Sequence, residues 1–397
     1  MITIQGQYAT ARVMIDEIDA DTRRQIYHIL AAPVSEGSTI AIMPDTHAGN
    51  NCVVGFTQQL NSAGAVSPNM LGVDIGCTVS LFPLGAPGEI DFAALDAYIR
   101  SNVAVGVGEY RATLPLRSIR NRFKDTVQLI EDAERLLAED GEKGRGISPL
   151  TQLGSLGGGN HFISLNQSRN SGVVYLGVHC GSRNFGLRVN KLYQHLAVEY
   201  RAQQGYGGTP EMAYLDRACG AHYEHYLTCV HACQQFARLN HLIIREAVAR
   251  YFAEVHKLPV LKDTEGPAMV SMHNYLDLEG MVLRKGAIRA AAGEPVVIPF
   301  NMRDGIGIGT GLGNAEWNNS APHGAGRILT RSEARACIDP AAAAADMAAH
   351  GVFTTSLDYA IDEAPDAYKP MELIRSAIAP AVDMHEVLPE IYNLKGR

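Results

Sequence analysis

Between residues 39 and 85 the chain alternates short apolar runs with polar breaks. TIAIMPD, CVVGFTQQL and TVSLFPLG are rich in β-branched residues and are bounded by Gly or Pro, so they read as β-strands. The polar stretches 45–51 and 68–77 between them read as loops. The period then changes. Residues 91–100 suggest a short helix. Over 118–140 the apolar positions Phe123, Val127, Ile130, Ala133, Leu136 and Leu137 fall at helical spacing with a charged opposite face. Strand-like sequence returns at 171–180, a helix is predicted at 190–204, and a long, mostly helical stretch covers 217–256.

From 268 to 300 the pattern is again β-like, in AMVSMHNYLDLEG, MVLRKGAI and EPVVIPF. Gly-rich segments at 304–313 and 323–326 read as loops, and 341–350 as an Ala-rich helix. The irregular alternation of strand-rich and helix-rich sections, with no repeat and no linker, predicts an α+β fold rather than a regular βαβ winding. A single large domain over 1–397, with the mainly helical segment 190–256 inside it, is the expected organisation.

Composition sharpens this picture. Hydrophobic residues make up 46% of the 397 and charged residues 19%, enough for a large core. The net charge of −8 excludes a protein coated with basic side chains, so any nucleic-acid contact must come from a local patch. Seven cysteines follow no disulfide or CxxC spacing, and Cys229 and Cys233 read as small packing residues on one helix face. The first residues lack a secretory pattern, and no apolar run reaches the roughly 20 residues of a membrane span. A cytoplasmic protein without membrane contact is expected.

The 39 glycines concentrate beside His, Asp and Cys. Five strings carry chemistry: MPDTHAGN (Asp45, His47), GVDIGC (Asp74, Cys77), GGGNHF (Asn160, His161), GVHCGSR (His179, Arg183) and SMHNY (His273, Asn274). One turn can aim the Asp74 carboxylate and the Cys77 thiolate at a single point. Imidazoles of His161, His179 and His273 arriving from separate segments would complete a set suited to Mn, Zn or Fe. By contrast, His222, His225, His231, His241 and His256 lie at helical spacings without such neighbours and read as packing or surface histidines.

A sixth string, APHGAGR, contains His323 and Arg327. Small residues after His323 allow close approach of a phosphate, Arg327 could grip its oxygens, and a neutral imidazole there is a competent nucleophile. Taken alone, the residues indicate metal-assisted phosphoryl or nucleotidyl transfer.

Taken together in this order, DIGC, GGGNHF, HxGSR, HN, RKGA and HGAGR resemble the RtcB RNA ligase family from Asp45 to the C-terminus. The resemblance implies two Mn2+ ions held by Asp74, Cys77, His161, His179 and His273, with the thiolate bridging, and His323 as the residue guanylylated by GTP. It implies a nucleotide site formed by Asn160, His161, Phe162, Ser164, Asn274, Pro299, Asn301, Met302, Gly324, Ala325, Gly326, Tyr368 and Lys395. Arg183, Arg284, Lys285 and Arg327 would hold RNA phosphates.

The implied substrates are RNA with a 3′-phosphate or 2′,3′-cyclic phosphate and RNA with a 5′-hydroxyl, in RNA repair or tRNA splicing. The implied protein is a monomer, with an activating protein partner left open. A second cationic group, Arg284, Lys285, Arg289, Arg327 and Arg331, lies near these strings. The run Arg111, Arg117, Arg120, Arg122 and Lys124 reads as a solvated helix face.

The chain departs from the family pattern where the base would be read. Ser164 stands in place of a glutamate, and a hydroxyl cannot accept paired N–H donors from guanine as a carboxylate does. Phe300 and Asn301 replace Gly-Ser, and Ile306 replaces a serine. The metal ligands and His323 are kept. Two other readings therefore stand beside ligation: a metal-dependent phosphohydrolase or nuclease on the same scaffold, and a non-catalytic binder of RNA ends.

Overall fold

The strand-forming runs at 39–85 are divided between two six-stranded sheets. In this computed structural model, which describes residues 1–110, 113–143, 146–259 and 269–397, the first sheet runs Ile2–Gln5, Thr10–Val13, Thr39–His47, Val54–Gln59, Val282–Lys285, Asn274–Asp277. The second runs Met269–Met272, Thr78–Gly85, Val174–Cys180, Phe162–Gln167, Glu390–Lys395, Phe353–Thr354. A three-stranded sheet of Pro295–Asn301, Gly305–Gly311 and Val382–Leu388 packs against the second. The mixture of strands and, among the described residues, 11 α-helices is the α+β architecture expected from the sequence.

The second sheet is buried on both faces, which explains its near-continuous apolar runs. On one side Ile163, Leu165, Leu176 and Val178 meet Ile244, Val248 and Phe252 of the helix Ala221–Val255. On the other, Val79, Leu81 and Phe162 meet Val297, Ile306 and Leu388. Each such Val, Leu or Ile contributes roughly 1.5–3 kcal/mol by leaving water. The 35-residue helix Ala221–Val255 buries side chains all round its axis, so it lacks a clean amphipathic stripe.

Several elements differ from the sequence reading. The helix expected over 118–140 is two, Leu116–Arg122 and Lys124–Glu139, parted at Phe123, whose backbone leaves the helical region (φ −127°, ψ 47°). The helix expected at 190 begins at Arg183, directly after the GVHCGS turn. The segment 304–313 is not a loop but contains the strand Gly305–Gly311, paired on both edges. The strands Val382–Leu388 and Glu390–Lys395 close the last two sheets. Among the described residues no helix is long and apolar enough to cross a membrane, and all seven cysteines are free thiols.

Candidate metal centre and its cleft

Four of the five metal-ligand candidates converge at one end of the second sheet. Cys77 immediately precedes Thr78–Gly85, and His161 immediately precedes Phe162–Gln167. His179 lies in Val174–Cys180, opposite Val79 and Phe162. His273 follows Met269–Met272, whose last residue pairs with Thr78, and its N–H donates to the Cys77 carbonyl at 2.9 Å. Sheet register therefore brings together residues almost two hundred positions apart.

The side chains form a continuous line. Cys77 Sγ is 3.5 Å from His161 Nε2 and 3.2 Å from His179 Nε2. The candidate donor atoms of these three residues all lie within 4.8 Å of one another. Asp74 Oδ2 flanks His161 Nε2 at 2.9 Å, and His273 Nε2 flanks His179 Nε2 at 3.3 Å. The turn carrying Asp74 presses on Gly181, where a Cβ would sit 2.1 Å from the Asp74 carboxylate.

Imidazole tautomers prepare the group for a cation. His161 Nδ1–H donates to the Leu156 carbonyl at 3.0 Å, and His179 Nδ1–H to the Asn160 carbonyl at 3.1 Å. A carbonyl can only accept, so Nδ1 carries a proton in both, and each Nε2 is turned toward the thiol. Two Nε2 atoms 3.3 Å apart gain little from each other. They gain much from a shared cation.

Electrostatics lead to the same conclusion. Burial first, and then the Asp74 charge, push the Cys77 thiol well above its ordinary range. Burial and neighbouring imidazoles push His179 and His273 well below theirs. For Asp74 burial acts upward but is outweighed by His161, Cys77 and Arg183, which hold the carboxyl below its usual range. A bound divalent ion would deprotonate the thiol and take the place of the proton between Asp74 and His161. A soft thiolate with imidazoles and a carboxylate fits a transition-series ion rather than Mg2+ or Ca2+.

This group opens on a cleft of about 790 Å³. His323, which follows the strand Ser320–Pro322, stands on the far side of His273 with ring centroids 4.9 Å apart. Its Nδ1 bonds Asp45 Oδ2 at 2.7 Å. The Asp45 side chain is fully buried, and the strand segment around it is fixed by Lys369, whose Nζ donates to the carbonyls of Pro44 and Thr46 at 3.1 and 2.7 Å. With Nδ1–H committed to Asp45, the Nε2 lone pair of His323 is free. Gly326 (φ +74°) completes the turn, where any Cβ would lie 1.9 Å from the Asp45 carbonyl oxygen. His47, held by burial to about 4, stays neutral beside them.

Most other residues named from the sequence also line the cleft: Asn160, Phe162, Asn274, Lys285, Pro299, Asn301, Gly324, Ala325, Gly326, Arg327, Tyr368 and Lys395. Lys285 is a cation whose ammonium feels Cys52, Asp74 and Cys77, with burial lowering its pKa. Arg183 stands behind the metal group and donates to Ser155 Oγ and the Gly106 carbonyl at 3.2 and 3.3 Å. Ser164 is fully buried and accepts from Asn166 Nδ2 at 2.7 Å. Arg327 lines the cleft, but its guanidinium is committed to Glu363 and to the carbonyls of Asp362 and Leu329.

Two assignments are corrected by the structure. The Met302 side chain does not line the cleft but packs with Met347, Val352 and Leu357 in a small separate cluster. Arg284 cannot hold RNA phosphate: its side chain is 2% exposed and bonds Ser320 Oγ, Tyr275 OH and the Asn318 carbonyl, with Asp277 at 3.5 Å. Its strand is the fifth of six in the first sheet, so the guanidinium points inward. Arg284→Ala is expected to destabilise the fold by about 3 kcal/mol, because it empties a buried site and leaves the buried Ser320 hydroxyl, the Tyr275 hydroxyl and the half-buried Asp277 carboxylate without their shared guanidinium. Urea titration would read that loss, and an unchanged midpoint would contradict the assignment.

Of the remaining cations, Arg289 pairs with Glu294, Arg331 with Asp362 and Glu363, Arg120 with Glu131, and Arg122 with Glu246. Arg111 lies outside the described residues.

Sequence reasoning did not assign the roles of Asp45, Glu363 and Glu390. Asp45 stood in a quoted string, but only its contact with His323 gives it a task. Glu363 and Glu390 are buried carboxyls lining the cleft, and their strings, IDEAPD and LPEIY, carry no metal-like spacing.

A model of the family described as tRNA-splicing ligase RtcB matches residues 25–396. The chain is 28% identical over 409 aligned positions to RNA-splicing ligase RtcB of Escherichia coli K12, covering 96% of this chain and 95% of that protein. It is 27% identical to tRNA-splicing ligase RtcB of Pyrobaculum aerophilum, covering 85% and 83%. It is 28% identical to RNA-splicing ligase RtcB of Mycobacterium tuberculosis, covering 84% and 91%.

Proposed function

The chain belongs to the RtcB family of RNA ligases, and on that premise we propose that it joins RNA ends through a guanylylated His323, using GTP and Mn2+. Nε2 of His323 attacks the α-phosphorus of GTP. An N–P bond forms, the α–β phosphoanhydride breaks and pyrophosphate leaves. An oxygen of an RNA 3′-phosphate then attacks the same phosphorus and releases the imidazole. The 5′-hydroxyl of the second RNA attacks the activated 3′-phosphorus, loses its proton to solvent, and GMP departs. A 2′,3′-cyclic phosphate enters after hydrolysis to the 3′-phosphate.

The protein's own residues carry most of this scheme. Asp45 keeps Nδ1 protonated and the ring aimed, so the nucleophile needs no reorganisation. The ammonium of Lys285, which lines the cleft, would support phosphate charge near Cys77. Asp74, Cys77, His161, His179 and His273 would hold the Mn2+, which neutralises charge on the transferring phosphate. The single observation carrying the proposal is His323 itself, anchored at 2.7 Å on a buried carboxylate and packed against His273. Neither a hydrolase nor an RNA-end binder built on this cluster needs His323 as a nucleophile.

The test uses the protein with Mn2+ and α-labelled GTP, ATP, CTP or UTP, followed by denaturation. Acid-labile, alkali-stable label from GTP is expected, together with joining of a 3′-phosphate RNA to a 5′-hydroxyl RNA. No label from any of the four while Mn2+ is bound would transfer the case to the hydrolase or binder.

A further inference from the structure

The strand Glu390–Lys395 pairs antiparallel with Phe162–Gln167, placing Lys395 opposite Phe162, Asn393 opposite Ser164 and Glu390 opposite Asn166. In a regular strand residues 390 and 395 would point to opposite faces. A bulge between Glu390 and Tyr392 adds one residue and turns Glu390 onto the face of Asn393 and Lys395. The bond from Asn393 Nδ2 to Glu390 Oε2, 2.7 Å, places these side chains together.

That face is unusually polar for a buried sheet. Ser164, Asn166, Asn393, Glu390 and Lys395 are each 6% exposed or less, and the side-chain oxygens of Asn166 and Asn393 have no partner. Such a stripe is costly unless something completes its hydrogen bonds. Burial pushes Glu390 up to about 8, against the pull of Lys395. The acidic neighbour nearest to Lys395 Nζ is Glu363, at 3.9 Å. Glu390, Lys395 and the Phe162 ring, which lies 4.8 Å beneath the Lys395 ammonium, all open on the cleft that holds His323.

We infer that Glu390 reads the base of the nucleotide accepted by His323 and selects guanine. This rests on the guanylylation proposed above. Guanine presents two adjacent N–H donors, N1 and N2, beside the acceptor O6. Accepting both N–H donors stabilises the charged form of Glu390 against its burial, so that the carboxylate takes N1–H and N2–H while an ammonium serves O6, and Phe162 supplies an aromatic surface. Adenine offers N1 as an acceptor to the carboxyl and its amino group to the ammonium, a mismatch at both places. The carboxylate absent at Ser164 is thus supplied from the neighbouring strand.

The test measures equilibrium binding of α,β-methylene analogues of GTP, ITP and ATP to the Mn2+-loaded protein, so that affinity is read without transfer. The unaltered protein should favour guanine over hypoxanthine, which lacks the N2 donor, and hypoxanthine over adenine. Glu390→Gln should weaken guanine binding about 10- to 100-fold, close the guanine–hypoxanthine gap and leave adenine unchanged. Equal guanine and adenine affinities in the unaltered protein would overturn the inference, as would an undiminished guanine–hypoxanthine gap in a Glu390→Gln variant with a normal melting curve. Binding of no analogue would bring down guanylylation as well, whereas loss of base preference with His323 still labelled strikes Glu390 alone.

Discussion

His323→Ala is expected to yield a folded, metal-competent protein that takes up no covalent nucleotide and joins RNA at least about 10⁴-fold more slowly. The imidazole is partly open to the cleft, at 17% exposure; its removal leaves the buried Asp45 carboxylate without its ring partner but takes no apolar side chain from the core. The Asp74–Cys77–His161–His179–His273 line remains intact beside it. Asp45→Asn separates aim from nucleophilicity. The ring stays, but the buried charge that fixes its Nδ1 proton is lost, and labelling should slow by roughly 10²- to 10⁴-fold. Quench-flow labelling with α-labelled GTP measures both. Residual label in His323→Ala at the unaltered rate would place the nucleophile elsewhere. Full speed in Asp45→Asn would deny the carboxylate its orienting part.

Cys77→Ala is the second large effect expected, this time on metal rather than nucleotide. Sγ lies near both His161 Nε2 and His179 Nε2, and a thiolate supplies charge that neutral imidazoles cannot. Loss of a partner outside the ligand shell already costs 10- to 100-fold in metal affinity, so loss of this group should cost more than about 100-fold. The side chain is 2% exposed and small, so Ala leaves little cavity and the melting temperature without metal should shift only slightly. Mn content after desalting, read by elemental analysis or by paramagnetic resonance of bound ion, decides the matter. Unchanged Mn content would remove Cys77 from the ligand set.

The cluster of Cys77, His161 and His179 that could hold a metal was legible in the sequence because its residues fall in short Gly- and Asn-containing strings at or next to strand ends, where spacing and residue type survive without coordinates. The α+β class was legible too, since periods near 2 and near 3.6 occupy separate stretches. Gly305–Gly311 was not: GIGIGTG has the glycine density of a loop. Its glycines are needed because a Cβ at Gly309 would lie 2.4 Å from the Asp383 carbonyl oxygen of the paired strand, so strand packing rather than turning selects them. Arg284 misled for a related reason. A cation in RKGA resembles a phosphate contact until pairing with Val54–Gln59 and Asn274–Asp277 turns it inward. Glu390 was illegible because its direction depends on one extra residue in a strand, which hydropathy does not record.

The place of Glu390–Lys395 inside the second sheet also matters during synthesis. This stretch is held between Phe162–Gln167 and Phe353–Thr354, and it closes a layer whose first strand, Thr78–Gly85, leaves the ribosome far earlier. Until those late residues emerge, the edge of Phe162–Gln167 stays open and Phe162 lacks its lysine neighbour. A nascent chain therefore carries its thiol and imidazoles well before it can shape the wall of the cleft that Glu390 and Lys395 form. Slow, long-range pairing of this kind leaves the unfinished edge exposed to other chains, making the final strand the step at which translation and folding must meet.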